Sequence, residues 1–276
     1  MRVVSLDSEP FAEVLYLDAA RGGGTTRVSL PLFQGRVSGL PAELDALVAA
    51  ADLQGRESCG GRPGRLLGER LAEELVRLAN RGLLPAPDRT GILLGGDLYT
   101  VPLCDRRGKC GDVEPVWRAF AERFRWVAGV VGNHDNLGGR TAGHMGDEQR
   151  THLLDGNTVT LDGLRVGGVG GIVGAPTRLN RKEATRFNQL VEGVLARAPD
   201  VLICHEGPDF PPLSLPGNAS MRELLEVWAE LQQPGLVLPL LVCGHSWWPE
   251  VMVELAGGIQ VLKVDARVVV LSRARE

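Results

Sequence analysis

Three of the chain's five histidines stand directly after, or within three residues of, a short apolar run. Five such runs end in groups able to bind a metal or move a proton. Residues 49–51 (Ala-Ala-Ala) lead to Asp52-Leu53-Gln54-Gly55, and 92–94 (Ile-Leu-Leu) lead to Gly95-Gly96-Asp97. Residues 129–131 (Gly-Val-Val) lead to Gly132-Asn133-His134-Asp135, 201–204 (Val-Leu-Ile-Cys) lead to His205, and 240–243 (Leu-Leu-Val-Cys) lead to Gly244-His245-Ser246-Trp247. Carboxylate, amide and imidazole groups ligate divalent ions, and imidazole as a class exchanges protons near neutral pH. The chemistry this set could do is metal-assisted hydrolysis. Each item alone has an ordinary reading: Gly-Asp after a strand is commonly a turn, and a histidine there commonly packs or meets water. Their combination carries the argument.

The elements that must position these groups follow from the patterning. Apolar runs at residues 44–51, 91–95, 126–131, 164–169, 201–204 and 236–243 alternate with amphipathic stretches at 65–83, 113–124, 182–198 and 221–232. Leu67, Leu71, Leu75 and Leu78 repeat at helical spacing, as do Phe187, Leu190, Val191, Val194 and Leu195. Alternating strand and helix signals predict an α/β fold with sheets covered by helices. In such sheets ligands bind at the carboxyl ends of strands, so the five polar groups would share one rim, with adjacent glycines allowing sharp turns. Residues 1–40 read as an N-terminal β-hairpin extension turning at 21–24, and 250–272 read as strand-rich with a turn at Gly257-Gly258. No long linker interrupts the chain, so a single domain over 1–276 is expected.

Composition narrows the function. The 276 residues are 44% hydrophobic and 23% charged, with net charge −4 and no long basic run, which argues against nucleic acid as partner. Five scattered cysteines argue against a disulfide scaffold. The first residues lack the apolar core of a signal peptide, and no apolar run reaches the roughly 20 residues needed to cross a bilayer. A cytoplasmic protein without membrane partner is the expectation. The sequence leaves the oligomeric state open.

The order and spacing of the polar groups resemble the calcineurin-like metallophosphoesterases, whose pattern runs Asp-x-His, Gly-Asp, Gly-Asn-His-Asp/Glu, His, Gly-His-x-His, each element after a strand. The match covers residues 44 to 245, and Gly132-Asn133-His134-Asp135 is its most specific part. The resemblance implies two facing mixed β-sheets flanked by helices, an α/β/β/α sandwich with the site at one edge. It implies that Asp97 bridges two metals, one held by Asp97, Asn133, His205 and His245, the other by Asp52, the residue at 54, Asp97 and the residue at 247. Two positions depart from the pattern, both at the second of these metals: Gln54 stands for His, and Trp247 for the last His. Gln offers an amide oxygen and Trp offers no ligand, which leaves Asp52, Gln54 and Asp97 as an oxygen-rich, weak site. That set favours manganese or magnesium over zinc, with manganese first and iron as a further candidate for the one or two bound ions. His144 and His152 are the minor candidates for the missing imidazole.

The implied mechanism is hydrolysis of a phosphodiester or phosphomonoester of a small molecule, such as a nucleotide. Two ions roughly 3.5–4 Å apart clamp the phosphoryl group and activate hydroxide. His134, beside Asn133, is the implied general acid, and Asp135 the implied anchor of the loop. Gly-Asp-Leu-Tyr after the second strand lacks the run of the protein phosphatases, which disfavours a phosphoprotein substrate. The alternative from another class is a regulatory metal-binding protein that kept the fold and lost turnover. Other residues read more plainly: Cys104 and Cys110 as free thiols, Arg106, Arg107 and Lys109 as a solvated run ahead of a phosphate-attracting one, and Trp247-Trp248 as packing ahead of stacking on a nucleobase or sugar.

Overall fold

The computed structural model describes residues 1–137, 149–233 and 235–274. Within them the chain is an α/β protein with two main mixed sheets, of ten and six strands, and four α-helices. The larger sheet runs in the order Thr151–Leu153, Trp126–Gly129, Thr90–Leu94, Ala46–Ala51, Arg267–Arg273, Thr25–Ser38, Ala12–Ala19, Arg56–Cys59, Arg62–Leu66, with Arg2–Leu6 paired to Thr25–Ser38. The smaller runs Asn157–Leu161, Leu164–Val169, Val201–Glu206, Leu240–Gly244, Gln260–Lys263, Met252–Glu254.

The strands that carry the motifs are parallel to one another within each sheet. Parallel neighbours need crossover connections, and the amphipathic stretches supply them. Helix α1 (Leu67–Asn80) links Ala46–Ala51 to Thr90–Leu94, and α2 (Glu114–Ala121) links the latter to Trp126–Gly129. Helices α3 (Ala184–Leu195) and α4 (Ala219–Glu230) do the same in the smaller sheet.

Ala46–Ala51 is buried at all six positions, which is why it reads as one unbroken apolar run. Its two faces serve different cores. Ala46, Val48 and Ala50 pack with Leu67, Leu71 and Leu75 of α1 and with Trp117 and Phe120 of α2. Leu47, Ala49 and Ala51 pack with Val166, Ile203, Val242 and Leu262 of the smaller sheet. The other face of that sheet, including Leu202 and Leu241, packs on Phe187 and Val191 of α3 and on Met221 and Leu225 of α4.

The expected hairpin forms: Ala12–Ala19 pairs antiparallel with Thr25–Ser38, and Gly23 and Gly24 turn with φ of +90° and +77°. It is an extension in sequence only. Thr25–Ser38 runs parallel to Arg267–Arg273, which in turn pairs with Ala46–Ala51. The hairpin therefore continues the large sheet. Among the described residues, no helix is long and apolar enough to cross a membrane.

Candidate metal centre

Asp52, Asp97 and His245 all follow parallel strands, and all three have left-handed backbone, with φ of +52°, +55° and +72°. Such angles are costly for residues other than glycine, and their clustering marks a position where the side chain matters more than backbone ease. Neighbouring glycines make the close approach feasible. A Cβ on Gly132 would stand 2.0 Å from Asp97 Oδ1, and one on Gly244 would stand 2.2 Å from Asp52 Oδ2.

Asp97, His205 and His245 form one group whose ligand atoms all lie within 4.8 Å of one another. The two imidazole rings are 5.1 Å apart between centroids. His205 is fully buried, and its Nδ1 sits 2.7 Å from the Gly95 carbonyl oxygen. That carbonyl can only accept, so Nδ1 carries the proton and Nε2 is the atom left for a metal, a common way of fixing a ligand tautomer. Nε2 faces Asn133 Oδ1 at 3.2 Å and Asp97 Oδ2 at 3.6 Å. Carboxylate oxygen, amide oxygen and imidazole nitrogen thus converge in a nearly dry place, where acceptors repel one another unless a cation lies among them. This donor set fits a divalent ion.

Without the ion, protons do part of that work. Burial alone would lower the His205 pKa, but the Asp97 and Asp52 carboxylates outweigh it and push it up to about 9. Burial likewise opposes the charge on Asp97, yet His205 and the His134 N–H hold its carboxyl below the usual range. Burial and the charge of His205 push His245, the most open of the three, down to about 4. Burial lifts Asp52 to about 6.

The loop carrying Asn133 and His134 is tied to Asp97 from several sides. His134 N–H donates to Asp97 Oδ1 at 2.9 Å. Asp135, buried, accepts from the backbone N–H of Asp97 and Gly132 at one oxygen (2.7 and 2.8 Å) and from Leu98 N–H at the other (2.7 Å). The anchoring role expected of Asp135 has this geometry. Asn180 completes the clamp, donating from Nδ2 to the carbonyls of Gly132 (2.7 Å) and Asp135 (2.8 Å). Nothing in its local sequence signals that role, because both partners lie more than forty residues away.

The remaining candidates are placed as follows. Asp52 Oδ2 accepts from His245 N–H at 2.8 Å, and Gln54 Nε2 donates to Asp97 Oδ2 at 3.3 Å. Both border the group, and Asp52 does not join its mutual 4.8 Å cluster. Trp247 is 65% exposed, whereas Trp248 is fully buried and donates its indole N–H to the Pro216 carbonyl. Cys104 is buried and Cys110 exposed, both as free thiols, and Cys110 Sγ is 3.9 Å from His134 Nδ1. Arg107 pairs with Asp18 and Arg106 with Asp105, so two of that run's three charges are paired. His152 lies on Thr151–Leu153, opposite Ala128 and outside the cluster, and His144 falls outside the described residues.

A cavity of about 770 Å³ opens from this centre. Asp52, Gln54 and His245 line it together with Tyr16, Arg107 and Trp247. The hairpin of residues 12–38 therefore supplies a wall of the site. No protein-family model matches this chain, and no curated protein matches it.

Proposed function

We propose that this chain is a metal-dependent hydrolase of small-molecule phosphoesters, related to the calcineurin-like metallophosphoesterases. The observation that carries the reading is the Asp97–His205–His245 group, its first two members buried, with Asn133 against it, each residue at or after a strand end and all in that family's order. Two sheets sharing one core, with helix pairs on their outer faces, accord with that family's sandwich.

Asp97, Asn133, His205 and His245 would hold the ion. A bound divalent ion, manganese by preference, supplies Lewis acidity that acidifies water and neutralises phosphoryl charge. The chain's own residues do the rest. Gly95 fixes the His205 tautomer, and Asp135 and Asn180 keep Asn133 and His134 in place. His134, half-buried beside Asp97, is the proton donor to the leaving oxygen. The cavity gives a small phosphoester room to lie between Trp247 and Arg107.

The test is hydrolysis of bis-p-nitrophenyl phosphate by metal-stripped protein as manganese is titrated in. Turnover should saturate with metal and fall by at least about a hundredfold in His134→Ala, the scale of general acid catalysis. A folded, manganese-loaded protein with no turnover on mono- or diesters would refute the hydrolase and leave a metal-binding regulatory protein.

A further inference from the structure

Lys263 is the one fully buried lysine among the described residues, and it lies beneath the candidate centre. It ends the Gln260–Lys263 strand in register with Cys243 of Leu240–Gly244. Its Nζ donates to the Gly244 carbonyl, immediately before His245, and sits 5.0 Å from the Trp248 ring centroid. Gly207 packs against its neighbour in the adjacent strand, since a Cβ there would stand 2.4 Å from Cys243 Sγ. Two residues on, Asp265 is 3% exposed, and both its carboxylate oxygens lack a hydrogen-bond partner in another described residue. Asp265 bridges to Ala51, the neighbour of Asp52, and lines the same cavity as Asp52 and His245.

Burying a charge alone costs several kcal/mol, and here the Lys263 ammonium and the Arg267 guanidinium, both buried, offset the buried Asp265 carboxyl and the partly buried Asp52. Burial lifts Asp265 to about 7 against the charges of Lys263 and then Arg267, and lifts Asp52 to about 6 against the charge of His205 first and that of Lys263 last. Meanwhile the groups that would hold a second ion are turned to other uses. Asp52 Oδ2 accepts from His245 N–H, Gln54 presents an N–H donor to Asp97, and Trp247, largely exposed, has no ligand atom. These residues do not fit a second ion.

We propose that the protein is built for a single divalent ion, held by Asp97, Asn133, His205 and His245, and that the Lys263 ammonium supplies the positive charge a second ion would bring to the Asp52–Asp265 side. The proposal rests on the metal set of the reading above but not on its reaction. A covalently fixed cation cannot be lost by dilution, and a lysine ammonium is a compact point charge on a flexible stem.

The experiment counts manganese bound to the full chain by equilibrium dialysis with metal analysis, and reads its electron paramagnetic resonance spectrum. Wild type should bind one equivalent and give an uncoupled spectrum up to millimolar metal. Two equivalents, or exchange-coupled manganese, would overturn the single-ion assignment. Lys263→Met should acquire a second equivalent, bound about a hundredfold more tightly than any such binding by wild type, once a like charge no longer opposes it. If that variant folds and still binds one, the role given to Lys263 is wrong. Trp247→His alters an exposed position and is expected to fold. It should still bind one equivalent, and a second would show that only the missing imidazole had kept the ion out. All these counts stand whether or not a phosphoester is turned over, so failure here and failure of the hydrolase reading are separate results.

Discussion

Metal binding at this centre should release a proton, and the structure says from where. Nδ1 of His205 is committed to the Gly95 carbonyl, so an ion must take Nε2. In the metal-free protein that atom faces Asp97 Oδ2 and Asn133 Oδ1, and the surrounding carboxylates raise the group's pKa to about 9 against the effect of burial. At pH 8 the imidazole is then about nine-tenths protonated, one pH unit below its midpoint. His245, pushed down to about 4, is already neutral there, and Asp97, held low, is already ionised, so neither contributes. About one proton should leave per ion bound. Because the ion competes with that proton, apparent affinity should rise nearly tenfold per pH unit up to about pH 8 and level off above 9. The sign follows from a raised imidazole pKa: the competing form dominates below 9 and disappears above it. Calorimetric titration with manganese in two buffers of different ionisation enthalpy measures the proton count directly. No proton released at pH 8, with affinity flat from pH 7 to 8.5, would refute ligation through His205 Nε2.

Three other perturbations probe the same construction. Gly244→Ala would push a Cβ to 2.2 Å from Asp52 Oδ2 and 2.7 Å from Ala51 Cβ. It should cost about 1–3 kcal/mol by overpacking, seen as a lower denaturation midpoint, and unchanged stability would show that the strand end gives way more easily than the geometry implies. Leu71→Ala removes a fully buried side chain between α1 and the large sheet and should cost about 2–5 kcal/mol in chemical denaturation, with metal stoichiometry intact. Arg107→Ala removes the cavity-lining cation paired with Asp18. It should raise KM for an anionic phosphoester by about three- to tenfold with kcat nearly constant, and a fall in kcat alone would place Arg107 in the chemistry instead of in binding.

Much of the candidate centre was legible because parallel strands buried on both faces leave continuous apolar runs, and each run stopped at a residue that the structure brings to the Asp97–His205–His245 group or to its border. Asp52, Asp97, Asn133, His205 and His245 were all found this way. The large sheet's wider order was not legible. Thr25–Ser38 pairs with Arg267–Arg273 across more than two hundred residues, and no local pattern encodes such a pairing. Lys263 and Asp265 were also hidden. A charge within an apolar run reads as a solvent-facing position, and only tertiary structure shows that the two charges are buried together beneath the strand ends. Trp247 and Trp248 are neighbours in sequence with opposite fates, one exposed and one in the core, which composition cannot separate.

The left-handed backbone at Asp52, Asp97 and His245 bears on whether the site still turns over. Glycine would relieve each of these angles, and a non-glycine residue there costs on the order of 1 kcal/mol or more. Asp52 and Asp97 offset some of that cost, since each accepts a backbone N–H, from His245 and His134 respectively. A protein that only bound metal would have reason to keep all three. It would have no such reason to keep the His134 imidazole, which ligates nothing in the proposed set and whose contact with Cys110 Sγ, at 3.9 Å, is long. The backbone N–H of residue 134 still holds Asp97 whatever side chain it carries. His134→Ala should therefore shift stability by less than about 0.5 kcal/mol and leave manganese affinity unchanged, while turnover collapses. A variant equally active but less stable would mean that the imidazole is there for packing, and the regulatory reading would gain what the hydrolase loses.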